Sequence, residues 1–186
     1  MEKKGIKRKV LLLEPNYKNK YPPIGLMKLA TYHRALGDEV VFYKGDLKEF
    51  ILTEIYDEFI AKLNSIDNTV EWVNYKDLLI NYVKTGRKEF FDELAKLSKY
   101  ESLVNNWLVH YKDFYKRKEY VNYPKWDRIC VSSLFTFYWK ITIETIEFAK
   151  TIIKDENQII VGGVLATVLA DELEEETGIK PYTGLL

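Results

Sequence analysis

The chain has 186 residues, enough for one domain with a sizeable core or for one domain with a large insertion. Its 28 basic and 28 acidic residues cancel, so no overall charge favours nucleic acid or an anionic membrane as a partner. The single cysteine excludes an intramolecular disulfide and a multi-cysteine metal site within this chain. We expect a cytoplasmic protein, since no apolar run has the length of a membrane span or of a secretory signal.

Residues 9–46 have the pattern of a strand, a loop, a helix and a second strand. Residues 10–13 are apolar without alternation, which is typical of a strand covered on both faces. A polar loop follows, and Pro23 stands where a helix can begin. Apolar residues then recur at helical spacing up to Gly37, and a second apolar run covers residues 40–43. This pattern predicts half of a parallel α/β sheet.

Residues 47–125 have the periodicity of an all-helical insertion. Amphipathic helices are predicted over residues 47–64, 70–83, 90–97 and 103–114, and Pro124 ends the last helical stretch before the next strand. Because the insertion leaves the sheet after the second strand, it could act as a lid over the edge where that strand ends.

The sheet pattern resumes after the insertion. Residues 128–132 and 158–161 predict strands, residues 136–154 and 164–177 predict helices, and residues 180–186 predict one more strand. We therefore expect a five-stranded parallel, Rossmann-like sheet of the flavodoxin-like order 2-1-3-4-5. Residues 1–46 and 126–186 would form this α/β domain, and residues 47–125 the helical insertion.

Ligands of such sheets bind beyond the carboxyl ends of the strands, where strands one and three diverge. Here that crevice would be walled by residues 14–21, 132–135 and 162–163, which makes Glu14 and Asn16 candidate ligand contacts. A small hydroxyl residue at a strand end can bond a buried ligand, and paired glycines let a bulky ligand approach the backbone. The alternative interpretation is that Ser132 and the Gly162–Gly163 pair only close tight strand-to-helix turns.

The string PPIGLMKLATYHRALGDEVVFY, residues 22–43, resembles the start of the cobalamin-binding-like domain at the N-terminus of many radical SAM proteins. The positions that fit are Pro22, Pro23, Gly25, Leu26, Leu29, Ala30, Tyr32, Arg34, Gly37, Glu39 and Val40. Cobalamin-binding domains carry the signatures Asp-x-His-x-x-Gly, Ser-x-Leu and Gly-Gly.

The resemblance reaches two of these three signatures. Ser132, Ser133 and Leu134 match the second, and Gly162 with Gly163 matches the third. In the family, these residues line the slot for the nucleotide tail of cobalamin. The first signature is missing, because the sequence after the second strand reads Gly-Asp-Leu-Lys and offers no histidine as an axial cobalt ligand.

For the histidines and the cysteine, we expect structural roles and no chemical ones. His33 falls on the apolar face of the first helix, where we expect a packed imidazole, and His110 with Asp113 is only a weak metal pattern, so we expect no metal site. Cys130 lies within a buried strand and should be an inert small hydrophobe. No phosphate-binding glycine loop is present.

The resemblance implies an N-terminal accessory domain that binds substrate or cobalamin for a radical SAM protein. The barrel of that superfamily carries Cys-x-x-x-Cys-x-x-Cys, which this chain lacks, so the iron–sulfur cluster and S-adenosylmethionine would belong to the full-length protein and not to this chain alone. The barrel would lie downstream in the same polypeptide or act in trans, and the ending, residues 182–186, favours truncation. The alternatives are a stand-alone, non-catalytic interaction module and a binder of another nucleotide-tailed ligand.

Overall fold

Four parallel strands form the sheet in the computed structural model, which describes residues 7–18 and 23–184. The strands are β1 (Lys9–Glu14), β2 (Glu39–Lys44), β3 (Arg128–Ser133) and β4 (Ile159–Gly163). They lie in the order β2-β1-β3-β4, and every neighbouring pair is parallel. The predicted interior position of β1 is confirmed, and so is the mixed α/β class.

The predicted fifth strand is wrong. In the described residues, Tyr182 makes one isolated parallel bridge to Gly162, with its N–H donating to the Val161 carbonyl at 2.7 Å. The ladder does not extend backward, since residues 179–181 form no further pairs with β4. It cannot grow forward beside β4 either, since Gly163 has a φ of 113° and turns the chain away from the sheet into a helix.

The structure describes eight α-helices and four short 3₁₀ turns. The helices are α1 (Ile24–Ala35), α2 (Leu47–Ile66), α3 (Lys76–Thr85), α4 (Lys88–Ala95), α5 (Glu101–Lys116), α6 (Trp139–Ile152), α7 (Val164–Val168) and α8 (Ala170–Thr177). The 3₁₀ turns are Trp72–Tyr75, Glu119–Asn122, Thr136–Tyr138 and Glu156–Gln158. The single helix predicted for residues 164–177 is wrong, because Leu169 leaves helical geometry at φ −121° and ψ 48°. Leu165 before the break and Leu173 after it are both buried.

The chain divides into two compact units. The sheet unit comprises Met1–Leu47 and Tyr123–Leu186, and the helical unit comprises Lys48–Asn122. Within the helical unit, Phe59 and Tyr111 stack with centroids 4.5 Å apart, and the indole N–H of Trp72 donates to the Asp67 carbonyl. No helix in the described ranges is long and apolar enough to cross a membrane.

The face of the sheet that α1 covers has an apolar core. Alternate residues of a strand point to the same face, so Val10 and Leu12 of β1 share this face with Cys130 of β3. They pack against Leu26 and Ala30 of α1. The opposite face buries the residues between them and contacts α6 and α7 through β3.

A partly buried cluster of three side chains, His33, Asp38 and Arg8, lies at the amino edge of the sheet. Nδ1 of His33 and Oδ2 of Asp38 are 2.7 Å apart, and Arg8 donates from Nη2 to Asp38 Oδ2 at 2.7 Å and from Nε to Oδ1 at 3.1 Å. Arg8 precedes β1 and Asp38 precedes β2, so the cluster joins both strand starts to the end of α1. The predicted packed role of His33 is confirmed, since only 1% of its surface is exposed.

Candidate ligand-binding site

One residue from each strand forms a row across the carboxyl edge of the sheet, which we call the polar row: Lys44, Glu14, Ser132 and Gly162. Glu14 is in register with Lys44, and Ser132 is in register with Gly162. The β1–β3 register runs through the Leu13–Val131 pair, so Glu14 and Ser132 are the next pair along the two strands. By alternation, the row faces the same side of the sheet as Leu12 and Cys130, which is the side that α1 covers.

A cavity of about 410 Å³ lies over this row. Its walls are the first turns of α1, residues 132–134 at the end of β3, residues 162–164 at the end of β4, and Tyr182 with Gly184. Cys130 and Ile160 contribute to its floor, and each lies two residues before the polar row on its strand. The volume falls in the range of small-molecule pockets, roughly 300–1,000 Å³. The crevice predicted at the switch between strands one and three therefore exists as a cavity within the sheet unit.

Glu14 supplies the most buried polar group of the cavity. Only 1% of its surface is exposed, and its Oε1 accepts a hydrogen bond from Lys44 Nζ at 3.0 Å. Its second oxygen, Oε2, is buried and has no hydrogen-bond partner among the described residues. A buried charged oxygen without a partner costs free energy in the folded state. A ligand group that donates a hydrogen bond would remove this cost.

The three residues of the Ser-x-Leu match have different roles. Ser132 Oγ is buried and has no partner in the described part of the chain, and it lines the cavity. Ser133 Oγ instead donates to the Gly162 carbonyl at 3.0 Å and accepts from the Ala166 N–H at 2.9 Å. The Leu134 carbonyl accepts the Leu165 N–H at 2.7 Å. Ser133 and Leu134 therefore fix the start of α7, and Ser132 Oγ takes no part in these bonds.

The last two residues of β4, both glycines, also differ in their roles. A Cβ added at Gly163 would collide with the Ser133 carbonyl oxygen, and its positive φ already disfavours other residues. A Cβ at Gly162 would meet only the Tyr182 carbonyl oxygen, at 3.8 Å, which is an ordinary contact. Gly163 is thus required by the turn, whereas Gly162 keeps its part of the polar row free of a side chain.

The loop after β1 contributes less to the cavity than the sequence predicts. Asn16 is exposed and lies outside the cavity lining. Its neighbour Tyr17 is buried, with its hydroxyl 2.6 Å from Thr142 Oγ1 and its ring against Tyr138. Burial raises the pKa of the Tyr17 hydroxyl to about 12. Residues 19–21 of the predicted wall lie outside the described residues.

Sequence reasoning missed Lys44 and the start of α1. Lys44 ends β2 at the same edge as Glu14 ends β1, so the parallel register was the signal that could have found it. Gly25 lies in the first turn of α1, lines the cavity, and has nothing within 4 Å of an added Cβ. Its position two residues after Pro23 was visible in the sequence, but only the packing of α1 on the sheet brings it to the cavity.

The residues that could bind a metal do not meet at this edge. His33 is bonded to Asp38 at the opposite edge of the sheet, and His110 belongs to α5 of the helical unit. No group of three or more potential ligands occurs among residues 7–18 and 23–184. Cys130 is buried, as predicted, and burial raises the pKa of its thiol to about 11.

Comparisons with protein-family models, with curated proteins and with solved structures gave no match to this chain.

Proposed function

We propose that the sheet unit is an accessory domain of a radical SAM protein and holds a substrate or a cobalamin-type ligand in the cavity at its carboxyl edge. It would work with a radical SAM barrel, in the same polypeptide or in trans, that carries the iron–sulfur cluster and binds S-adenosylmethionine. The alternative is a non-catalytic interaction module of the same fold.

The observation that carries this proposal is that two residues of the cavity lining each have a buried polar atom without a hydrogen-bond partner in the described residues. Glu14 Oε2 and Ser132 Oγ lack hydrogen-bond partners among the described residues, although buried polar groups are normally satisfied. Both residues line a cavity at the edge where parallel sheets bind ligands. The resemblance of residues 22–43, 132–134 and 162–163 makes a cobalamin-type ligand the first candidate.

The cavity fits part of such a ligand. A volume of about 410 Å³ suits a heterocyclic base with its ribose, and Gly162 and Gly25 add no side chains to obstruct it. The corrin ring would lie outside the cavity. His33 is committed to Asp38, and no other histidine belongs to the sheet unit, so this unit offers no imidazole as an axial ligand. Binding would depend on the nucleotide tail, and we expect it to be weak in the isolated chain.

A titration with hydroxocobalamin and with cobinamide, which lacks the nucleotide tail, tests this proposal. We expect hydroxocobalamin to bind more tightly than cobinamide, with an absorbance spectrum that shows no imidazole ligation from the protein. Equal affinities would show that the cavity does not hold the tail. An imidazole-ligated spectrum lost in a His33→Gln or His110→Gln variant would overturn the ligand assignment, and no heat from either compound would exclude a cobalamin-type ligand.

Gly25→Leu is a variant that fills the cavity. Its side chain would extend into open space at Gly25, so we expect the fold to be retained and the heat of hydroxocobalamin binding to be lost. Arg34→Leu is the matched control, because Arg34 is exposed near the other end of α1. Binding that survives Gly25→Leu would place the ligand elsewhere.

Exposed apolar side chains favour the interaction module as a second candidate. Among the described residues, seven lie in α1, in the segment after β3, in α7 or at the bridge to β4: Ile24, Met27, Phe135, Phe137, Val164, Val168 and Tyr182. Phe135 and Phe137, 54% and 74% exposed, stack on each other with centroids 5.4 Å apart. Apolar surface of this kind is typical of docking sites.

The ligand-binding domain and the interaction module predict that different variants lose binding. The partner to use is a barrel encoded beside this chain and identified by its three-cysteine motif. If the chain is an interaction module, Phe135→Ser with Phe137→Ser should abolish barrel binding, whereas Gly25→Leu should not. Leu36→Ser is the control, since Leu36 is exposed at the far end of α1.

A further inference from the structure

We propose that the cavity selects a neutral ligand group that donates a hydrogen bond, such as a hydroxyl, a primary amide or an amino group on a ring, and that Glu14 Oε2 is its acceptor. The proposal rests on the proposed function, because it assigns the chemistry of the same cavity. It predicts that a carboxylate or phosphate is excluded from the position next to Glu14.

The position of Glu14 carries the first step of this inference. Its carboxyl group stands at the end of β1, an interior strand, and is covered almost completely. One oxygen is bonded to Lys44, and the other lacks a partner among the described residues and belongs to a cavity-lining residue. A carboxylate oxygen only accepts hydrogen bonds, so the ligand atom beside it must carry a hydrogen.

The charges in the polar row favour a neutral ligand group over a charged one. Lys44 Nζ, 3.0 Å from Glu14 Oε1, already compensates the carboxylate. A cationic ligand would leave this pair with an excess positive charge in a buried place, and an anionic ligand would bring two negative oxygens together. Lys28 also lines the cavity, but its side chain is exposed to water, which weakens its effect on a buried group. A neutral donor satisfies Oε2 without either cost.

Ser132 supplies the second contact. It follows Glu14 across the β1–β3 pair, and adjacent strands lie roughly 4.8 Å apart. Its hydroxyl can donate or accept, so it suits the second polar atom of a diol or the carbonyl oxygen of an amide. For a corrinoid, this means that a ribose hydroxyl or a carboxamide would meet Glu14 and that the phosphodiester would lie away from it.

Benzamide and benzoate are matched probes, because they have the same shape. Benzamide is neutral and donates hydrogen bonds from its amide, whereas benzoate is negatively charged and has no donor. Each is titrated at millimolar concentration while amide resonances are recorded by ¹H–¹⁵N NMR. Gly25 and Gly162 line the cavity and report binding there, and Gly86 and Gly178 lie elsewhere and serve as internal controls. We expect shifts at the cavity glycines only, and an affinity for benzamide at least about tenfold higher than for benzoate.

Glu14→Gln tests the residue itself. A glutamine amide can donate to benzoate, so we expect the preference for benzamide to fall to about threefold or less. Glu172→Gln on exposed α8 makes the same chemical change outside the cavity and should retain the full preference. If Glu14→Gln does not fold, two other measurements test the inference. The unaltered protein should still bind benzamide more tightly than benzoate, and Ser132→Ala should bind benzamide more weakly than the unaltered protein does.

The outcomes separate this inference from the proposed function. Benzoate binding as tightly as benzamide, or an unchanged preference in Glu14→Gln, would overturn the inference and leave the cavity as a ligand site. If neither probe shifts the resonances of the cavity glycines, the inference is overturned, and the proposed function is still decided by the hydroxocobalamin titration. A preference for benzamide that depends on Glu14, together with no heat from hydroxocobalamin, would support the inference and reject a cobalamin-type ligand.

Discussion

Ser132 and Ser133 are neighbours in the chain, but their side chains lie on opposite faces of the sheet, and only the hydroxyl of Ser133 is hydrogen-bonded within the described residues. Ser133 Oγ bonds both the Gly162 carbonyl and the Ala166 N–H, whereas Ser132 Oγ has no partner in the described residues and lines the cavity. In the Ser-x-Leu match, Ser133 therefore has a structural role, and Ser132 is the serine to which the proposed ligand contact is assigned.

Ser133→Ala should lower the free energy of unfolding by about 2 kcal/mol, because it leaves the Gly162 carbonyl and the Ala166 N–H without their partner. Ser132→Ala should change it by less than about 0.5 kcal/mol, since no hydrogen bond of its hydroxyl to a described residue is lost. Urea unfolding followed by circular dichroism measures both. Equal destabilisation by the two variants would contradict the division of roles.

Gly163→Ala should destabilise the protein by at least about 3 kcal/mol, because a Cβ there meets the Ser133 carbonyl oxygen and φ is positive. Gly162→Ala is its matched control and should cost less than about 1 kcal/mol, since its Cβ has room. Thermal unfolding of both variants checks this prediction. A well-tolerated alanine at Gly163 would show that β3 and β4 do not approach each other so closely.

Asp38 should make stability depend on pH at acidic values. The hydrogen bond from Arg8 holds the pKa of this carboxyl at about 2, below its usual value of 3.8. A carboxyl with a lowered pKa stabilises the fold fully above about pH 4 and loses this contribution as the pH falls toward about 2. The contribution is at most about 2 kcal/mol, because the Arg8 side chain is 35% exposed and water partly screens its charge, although the Asp38 side chain is only 4% exposed.

Asp38→Asn checks this prediction, because an amide does not titrate. The free energy of unfolding of the unaltered protein should fall more steeply between about pH 4 and pH 2 than that of the variant. Asp171→Asn on the exposed surface of α8 is the control and should retain the steep fall. Parallel curves for Asp38→Asn and the unaltered protein would mean that the Arg8–Asp38 pair does not lower this pKa.

Cys130 should react slowly with thiol reagents in the folded protein. Burial raises the pKa of its thiol to about 11, and the reactive form is the thiolate. We expect alkylation by iodoacetamide at neutral pH to be at least about a hundredfold slower than for a free cysteine, and urea to remove the difference. Because the chain has one cysteine, mass spectrometry reads this reaction without ambiguity. Rapid labelling without urea would contradict the buried position.

The sequence alone determined the local elements and the edge where a ligand would bind. Unalternating apolar runs predicted β1 and β3 because such strands are covered on both faces. Parallel strands end at a common edge, so Glu14, Ser132 and Gly162 could be assigned to one site before any pairing was known. Helical periodicity also predicted the segments that form α1, α2 and α6.

Only the tertiary structure decided how these residues are used. Whether a serine is free or bonded depends on distant partners, and the partner of Ser133 in α7 is set by how that helix packs. The register placed Lys44 beside Glu14, and α1 brought Gly25 to the cavity. The prediction of a fifth strand was wrong, because a strand needs an extended neighbour to pair with and the chain turns away from the sheet at Gly163, the end of β4. Periodicity reports which residues are apolar, whereas hydrogen-bond satisfaction depends on contacts between residues far apart in the chain.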